Sequence, residues 1–162
     1  MAELVILPTP ESLRRLLSDL LMGRAVTVKK GAPIPIPPQG AFAVARYKTP
    51  DGTETVLCVC DLALASAAGA ALSLIPAAVV KESMRAGKLS ETLAENVHEI
   101  FNVCSGLFNQ PDHPRFALAE VLLPPIAPGS ISVGKPTRRN DFEIAIDGYG
   151  SGKMCACQLS PS

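Results

Sequence analysis

Residues 89–109 constrain the fold more than any other stretch of the chain. Read at about 100° per residue, Leu93, Val97, Ile100, Phe101, Cys104, Leu107 and Phe108 fall on one broad face. Glu95, Glu99 and Asn102 fall on the opposite face. Gly106 lies on that polar side one turn beyond Asn102 and leaves the backbone there uncovered. Such a segment is an amphipathic helix that must lay its apolar stripe on a core. Ser90 is the expected N-cap, and Glu91 sits in the first turn, where the helix dipole favours an acid. The outward row can be read as an ordinary solvated face or as a functional one. Asn102 sets it apart, because asparagine is a mediocre helix former in mid-helix.

The rest of the chain supplies what this helix could pack on. Thr9, Pro10 and Glu11 read as a helix start, with Leu13, Leu16, Leu17, Leu20 and Leu21 at helical spacing and Gly23 closing it. The apolar run at 3–7 before it reads as an edge strand or a lead-in. Residues 25–29 form a short strand. Pro33, Pro35, Pro37 and Pro38 exclude helix and a paired central strand, so 31–40 is an extended connector whose Ile residues can pack down. Strands at 41–48 and 54–60 flank the Thr49-Pro50-Asp51-Gly52 turn, with glycine at a positive φ. Asp61 precedes an Ala-rich helix running toward Pro76, and a short helix follows at 77–86, ending at Gly87. After the main helix come a strand at 116–123, a stop at Pro124-Pro125 and a short segment at 130–133. The polar run 137–141 reads as a turn. Strands at 142–147 and 153–159 make a final hairpin across a glycine-rich link, which has no following helix and so is no phosphate loop.

Hairpins plus amphipathic helices give an α+β fold, a mostly antiparallel sheet covered by two long amphipathic helices near 10–22 and 89–109. The length of 162 residues suits a single domain over 1–162. Apolar residues at 48% and charged residues at 19% are those of a globular chain. Fifteen basic and fifteen acidic residues cancel, which leaves no bulk electrostatic case for nucleic acid or an anionic membrane. No apolar run reaches membrane-spanning length, so a cytoplasmic protein is expected. Five cysteines form two Cys-x-Cys pairs, Cys58/Cys60 and Cys155/Cys157, plus Cys104. On strands each pair points both thiols to one face. If those strands were neighbours, four thiols could meet at a zinc or redox site, although the spacing is not that of zinc knuckles. The alternative is core packing, since free cysteine behaves as a small hydrophobe. Neither His98 nor His113 has metal-ligand spacing, and His113 reads as a solvated loop residue.

The spacing Glu99-x2-Asn102-x22-Pro125 resembles the signature of the CheC/CheX/FliY family of chemotaxis phosphatases, Asp/Ser-x3-Glu-x2-Asn-x22-Pro. Glu99, Asn102 and Pro125 match in register, and Glu95 stands at the Asp/Ser position. Glu99-Ile-Phe-Asn102-Val-Cys-Ser-Gly106 is also similar to the Glu-x-x-Asn-Met-Ile-Ser/Ala-Gly run of CheX-like members. The helix near 10–22 has Glu11 followed by Arg14 where a second motif would need Asn, so the single site is closer to the CheX pattern. The resemblance spans the Gly40 region to Pro125, and the two ends of the chain agree only in layout.

The resemblance implies a CheC-like fold and hydrolysis of the aspartyl-phosphate on a CheY-like response regulator. It gives Asn102 and Glu99 the catalytic positions and Glu95, Gly106 and Pro125 places in the binding surface. No cofactor is expected in this chain, and the divalent cation belongs to the partner receiver. It also implies a homodimer, with strands near the termini extending a sheet. Related folds occur in flagellar-switch proteins, so a non-catalytic binding module is the alternative.

Overall fold

The structure, a computed structural model, describes residues 5–52, 54–131 and 135–159. Helix α1 (Pro10–Leu20) starts as the sequence requires. The Thr9 side chain accepts the Ser12 N–H, the Ser12 hydroxyl accepts the Thr9 N–H, and Pro10 begins the helix. Then come β1 (Val26–Lys30), β2 (Phe42–Lys48), β3 (Thr55–Asp61), α2 (Leu62–Leu72), α3 (Ala78–Ala86), α4 (Glu91–Cys104), a 3-10 turn (Ser105–Phe108), β4 (Ala117–Leu122), β5 (Pro136–Ile146) and β6 (Gly150–Leu159). The six strands form one sheet in the order β1-β5-β6-β3-β2-β4, and every pairing is antiparallel.

Alternation sends the side chains of the central strands to two dry layers. On one face Ala43, Ala45, Tyr47, Val56, Cys58, Phe142, Ile144 and Met154 meet α1, α2 and α4. On the other face Val44, Leu57, Val59, Cys155, Cys157 and Leu159 are covered by Ile34, Ile126 and Ile131, which come from connectors. The extended segment around Pro33 and Pro35 therefore does pack its isoleucines down: Ile34 is buried and Ile36 partly so. Helix α2 is the centre of the helical cover, touching β2, β3, β5 and β6 as well as α3 and α4. It is buried on nearly every side, which its small residues permit. Asp61 caps it by accepting the Leu64 N–H at 2.9 Å. A Cβ on Gly152 of β6 would collide with Asp61 Oδ1 and lie 2.5 Å from Leu64 N, so glycine there lets α2 sit on the sheet.

Several expectations need correction. The run 137–141 is not a turn but the first half of β5, paired with β6 from Pro136 onward. Polar side chains are tolerated there because they bond to backbone: Arg138 donates to Val5 O, Asn140 to Pro8 O and Arg139 to Ile34 O, while Asp141 accepts the Ile34 N–H. The Ala-rich helix stops at Leu72, well before Pro76, with Leu74 at φ +56°. Val5, Ile6 and Leu7 form no strand. β6, the strand nearest the C-terminus, is paired on both sides; the sheet's free edges are β1, the strand nearest the N-terminus, and β4. His113 lies in a bend and is partly exposed. Glu3 and Leu4 of the N-terminal run, and Ser132 and Val133 of the 130–133 segment, lie outside the described residues.

The cysteine question is settled by register. β3 and β6 are neighbours, yet Cys58 lies opposite Ala156 and Cys157 opposite Leu57. Residues opposite one another share a face, so the two Cys-x-Cys pairs point to opposite sides of the sheet. Four thiols cannot meet. All five are free and buried, and no metal-holding cluster of His, Cys, Asp or Glu occurs among the described residues.

Candidate functional site

Helix α4 is held from below at three points. Leu93, Val97, Ile100, Phe101 and Cys104 are buried as its stripe. Gly69 of α2 lets it approach closely, since a Cβ there would stand 3.3 Å from both Leu93 O and Val97 Cγ2. Asn96 donates to Gly69 O at 2.8 Å and to Ser73 Oγ at 2.9 Å, tying the helix flank to the end of α2. From the sheet, the buried Tyr47 hydroxyl donates to Phe101 O at 2.5 Å. Burial holds the Tyr47 phenol far above its ordinary range, so this donor stays protonated. Ser90 caps the start by accepting the Leu93 N–H. The helix is thus fixed in height and rotation before its outer face is considered.

On that outer face Glu95, Glu99 and Asn102 are exposed, each one turn from the next. None of the three side chains makes a hydrogen bond or ion pair with another described residue. The backbone of Asn102 is secured, with its carbonyl accepting the Ser105 hydroxyl at 2.8 Å. Gly106, exposed in the 3-10 turn, has neither a positive φ nor any atom within 4 Å of where a Cβ would stand. Neither backbone nor packing demands a glycine there. Pro125 is exposed beyond β4, after a cis bond from the buried Pro124. Ile126 next to it is tied to Gly40 by two backbone bonds of 2.7 and 2.8 Å. No hydrogen bond among the described residues joins Pro125 to the α4 row.

Sequence reasoning missed the space beside the row. A cleft of about 440 Å³ lies between α4 and the edge strand β4, lined by Ala94, Glu95, His98, Val121 and Leu123. The available signal was Leu123, an apolar residue at the end of an expected strand just before Pro124-Pro125. A row of the same kind on α1 is absent: Glu11 is engaged by Arg14 at 2.6 Å and by Arg15 at 3.6 Å. The Arg14 hydrogen bond holds the Glu11 carboxyl below its usual range.

No family model matches this chain, and no curated protein matches it in sequence. Solved structures match it in shape. The FliG–FliM complex from H. pylori matches at TM-score 0.57 and 10% identity, covering 93% of this chain and 86% of the other. The CheX–CheY–BeF3–Mg2+ complex from Borrelia burgdorferi matches at 0.55 and 11%, covering 90% and 92%. FliY from Thermotoga maritima matches at 0.56 and 14%, covering 91% and 81%. The fold is therefore that shared by CheX, FliY and FliM middle domains.

Proposed function

We propose that this protein accelerates hydrolysis of the aspartyl-phosphate on a CheY-like response regulator, with Asn102 and Glu99 as its catalytic residues. The observation that carries the reading is the Asn102 carboxamide, exposed and without a partner on a helix pinned from beneath. A receiver's acyl phosphate already has a divalent cation and a lysine on its phosphoryl oxygens. What hydrolysis still needs is a water held in line with the breaking bond, and a carboxamide can hold one through its donor and acceptor. Asn102 enters the receiver's site for that purpose. Glu99, one turn away, pairs with the receiver's lysine, while Glu95, Gly106 and Pro125 flank the contact. The chain holds no cofactor of its own in this reading, and it works in the cytoplasm with its receiver. Its likeness in fold to CheX, solved in complex with CheY, supports the choice of partner.

The test is phosphate release from a panel of phosphorylated receivers. Wild type should accelerate it for at least one, and Asn102→Ala should abolish that acceleration. A binding module is the second reading, favoured by the FliM-type matches and by Glu95 at the Asp/Ser position. Binding of phosphorylated receivers without any acceleration would establish it.

A further inference from the structure

We infer that the cleft between α4 and β4 is the docking groove of the same receiver, and that it takes an apolar side chain flanked by a lysine or arginine. The inference rests on the phosphatase reading and deepens it.

The cleft has an apolar floor of Ala94, Val121 and Leu123, with Glu95 and His98 at its rim. Leu123 is 40% exposed. It cannot retract, because Leu122 is paired to Val44 on one side of it and Ile126 is bridged to Gly40 on the other. Burying such a side chain against a partner removes apolar surface from water and favours the complex. The rim selects the partner by charge. From Glu91 to Cys104 the helix carries Glu91, Glu95 and Glu99 and no Lys or Arg. None of these carboxylates has an ion pair with a described residue. Glu120 of β4 shares the opposite sheet face with Val44 and Leu122, away from the cleft, and Arg46 engages it at 3.5 Å. The unpaired negative edge is therefore α4 itself, and it complements a cation on the entering segment. Glu95 belongs both to the groove and to the row that leads to Asn102, so a segment seated here would be in register with the reacting end.

The experiment measures kcat and KM for wild type, Ala94→Arg, Leu123→Lys and Glu95→Gln on the receiver that wild type dephosphorylates. Lys81→Glu, at an exposed position of α3 outside the groove lining, is the control. The two groove variants should raise KM on the order of tenfold, the scale of one well-packed contact, and change kcat far less. Asn102→Ala should show the opposite split, with the loss in kcat. Raising NaCl from about 0.05 M to about 0.5 M should raise the wild-type KM, because salt screens exposed pairs, and Glu95→Gln should lose part of that dependence. Unchanged KM in both groove variants of a folded, active enzyme overturns the groove alone. Conversion of a dimer to a monomer by Ala94→Arg also overturns it, since the occupant would then be a second copy. A wild type that accelerates no receiver overturns the parent reading, and the groove assignment falls with it.

Discussion

Asn96 and Asn102 sit on the same helix and have opposite fates. The Asn96 carboxamide is used up by Gly69 O and Ser73 Oγ, so it fastens α4 to α2. The Asn102 carboxamide faces outward with nothing to bind. The two alanine variants should separate cleanly. Asn96→Ala should lower unfolding stability by about 1–2 kcal/mol, the cost of leaving Gly69 O short of its donor, and largely spare catalysis. Asn102→Ala should leave the melting temperature unchanged and remove stimulated phosphate release. Glu99→Lys should weaken receiver engagement more than Glu99→Ala, because it sets like charge against a lysine. Glu95→Ser tests the position that departs from the family signature: it should raise KM, as loss of the Glu95 charge does in the groove, and change kcat far less.

At the scale of elements, the polar half of β5 is a clamp. Its side chains hold two segments that have no regular structure, the lead-in at Val5 and Pro8 and the connector at Ile34. Asp141 is the centre of that clamp. It accepts both the Ile34 N–H and the Arg139 guanidinium at 2.6 Å. Burial pushes its carboxyl up, but the bonds from Arg139 and Ile34 outweigh burial and hold it below the usual range. Its contribution is therefore complete above the unfolded value of about 3.9 and is lost as pH falls through the lower folded value. Asp141→Ala should cost about 1–3 kcal/mol in urea unfolding, since it leaves the Ile34 N–H without a partner and Arg139 with only the Ile34 carbonyl. Asp141→Asn should flatten the acid limb of the stability curve below about pH 4. The second element-scale test is Gly152→Ala. Its Cβ would meet backbone of the first turn of α2, which cannot move aside as a side-chain tip could. A loss of about 1–3 kcal/mol, typical of overpacking, is expected in thermal unfolding.

For the whole molecule, the sheet is dry on both faces, and that fixes its response to alkali. Cys58, Cys60 and Cys104 lie in the helix-side layer, and burial raises all three thiols, Cys104 to about 12. In the unfolded chain they ionise near 8.5. Their contribution is intact below that value and is lost as pH rises above it, by about 1.4 kcal/mol per thiol per pH unit. Melting temperature should fall steeply above about pH 9, and less steeply in Cys104→Ala. Assembly belongs to the same scale. The sheet's free edges are β1 and β4, so the proposed homodimer must use one of them or a helix face. Light scattering at high concentration should give twice the chain mass.

The sequence by itself determined every helix, most strands and the outward row of α4. These follow from periodicity, caps and turn residues, which act within a few positions of the chain. Ser90, Asp61 and Thr9 cap as their side-chain chemistry demands, and Glu95, Glu99 and Asn102 face out because Val97, Ile100 and Phe101 must face in. Tertiary structure decided three things that no local pattern encodes. The run 137–141 became a strand because partners distant in sequence, Val5, Pro8 and Ile34, satisfy its polar side chains. The two Cys-x-Cys pairs were sent apart by the register of β3 on β6, where a shift of one residue would have reversed the answer. The cleft beside Glu95 exists because β4 takes the outer edge of the sheet under α4, and strand order is set by the packing of the whole chain rather than by any segment of it.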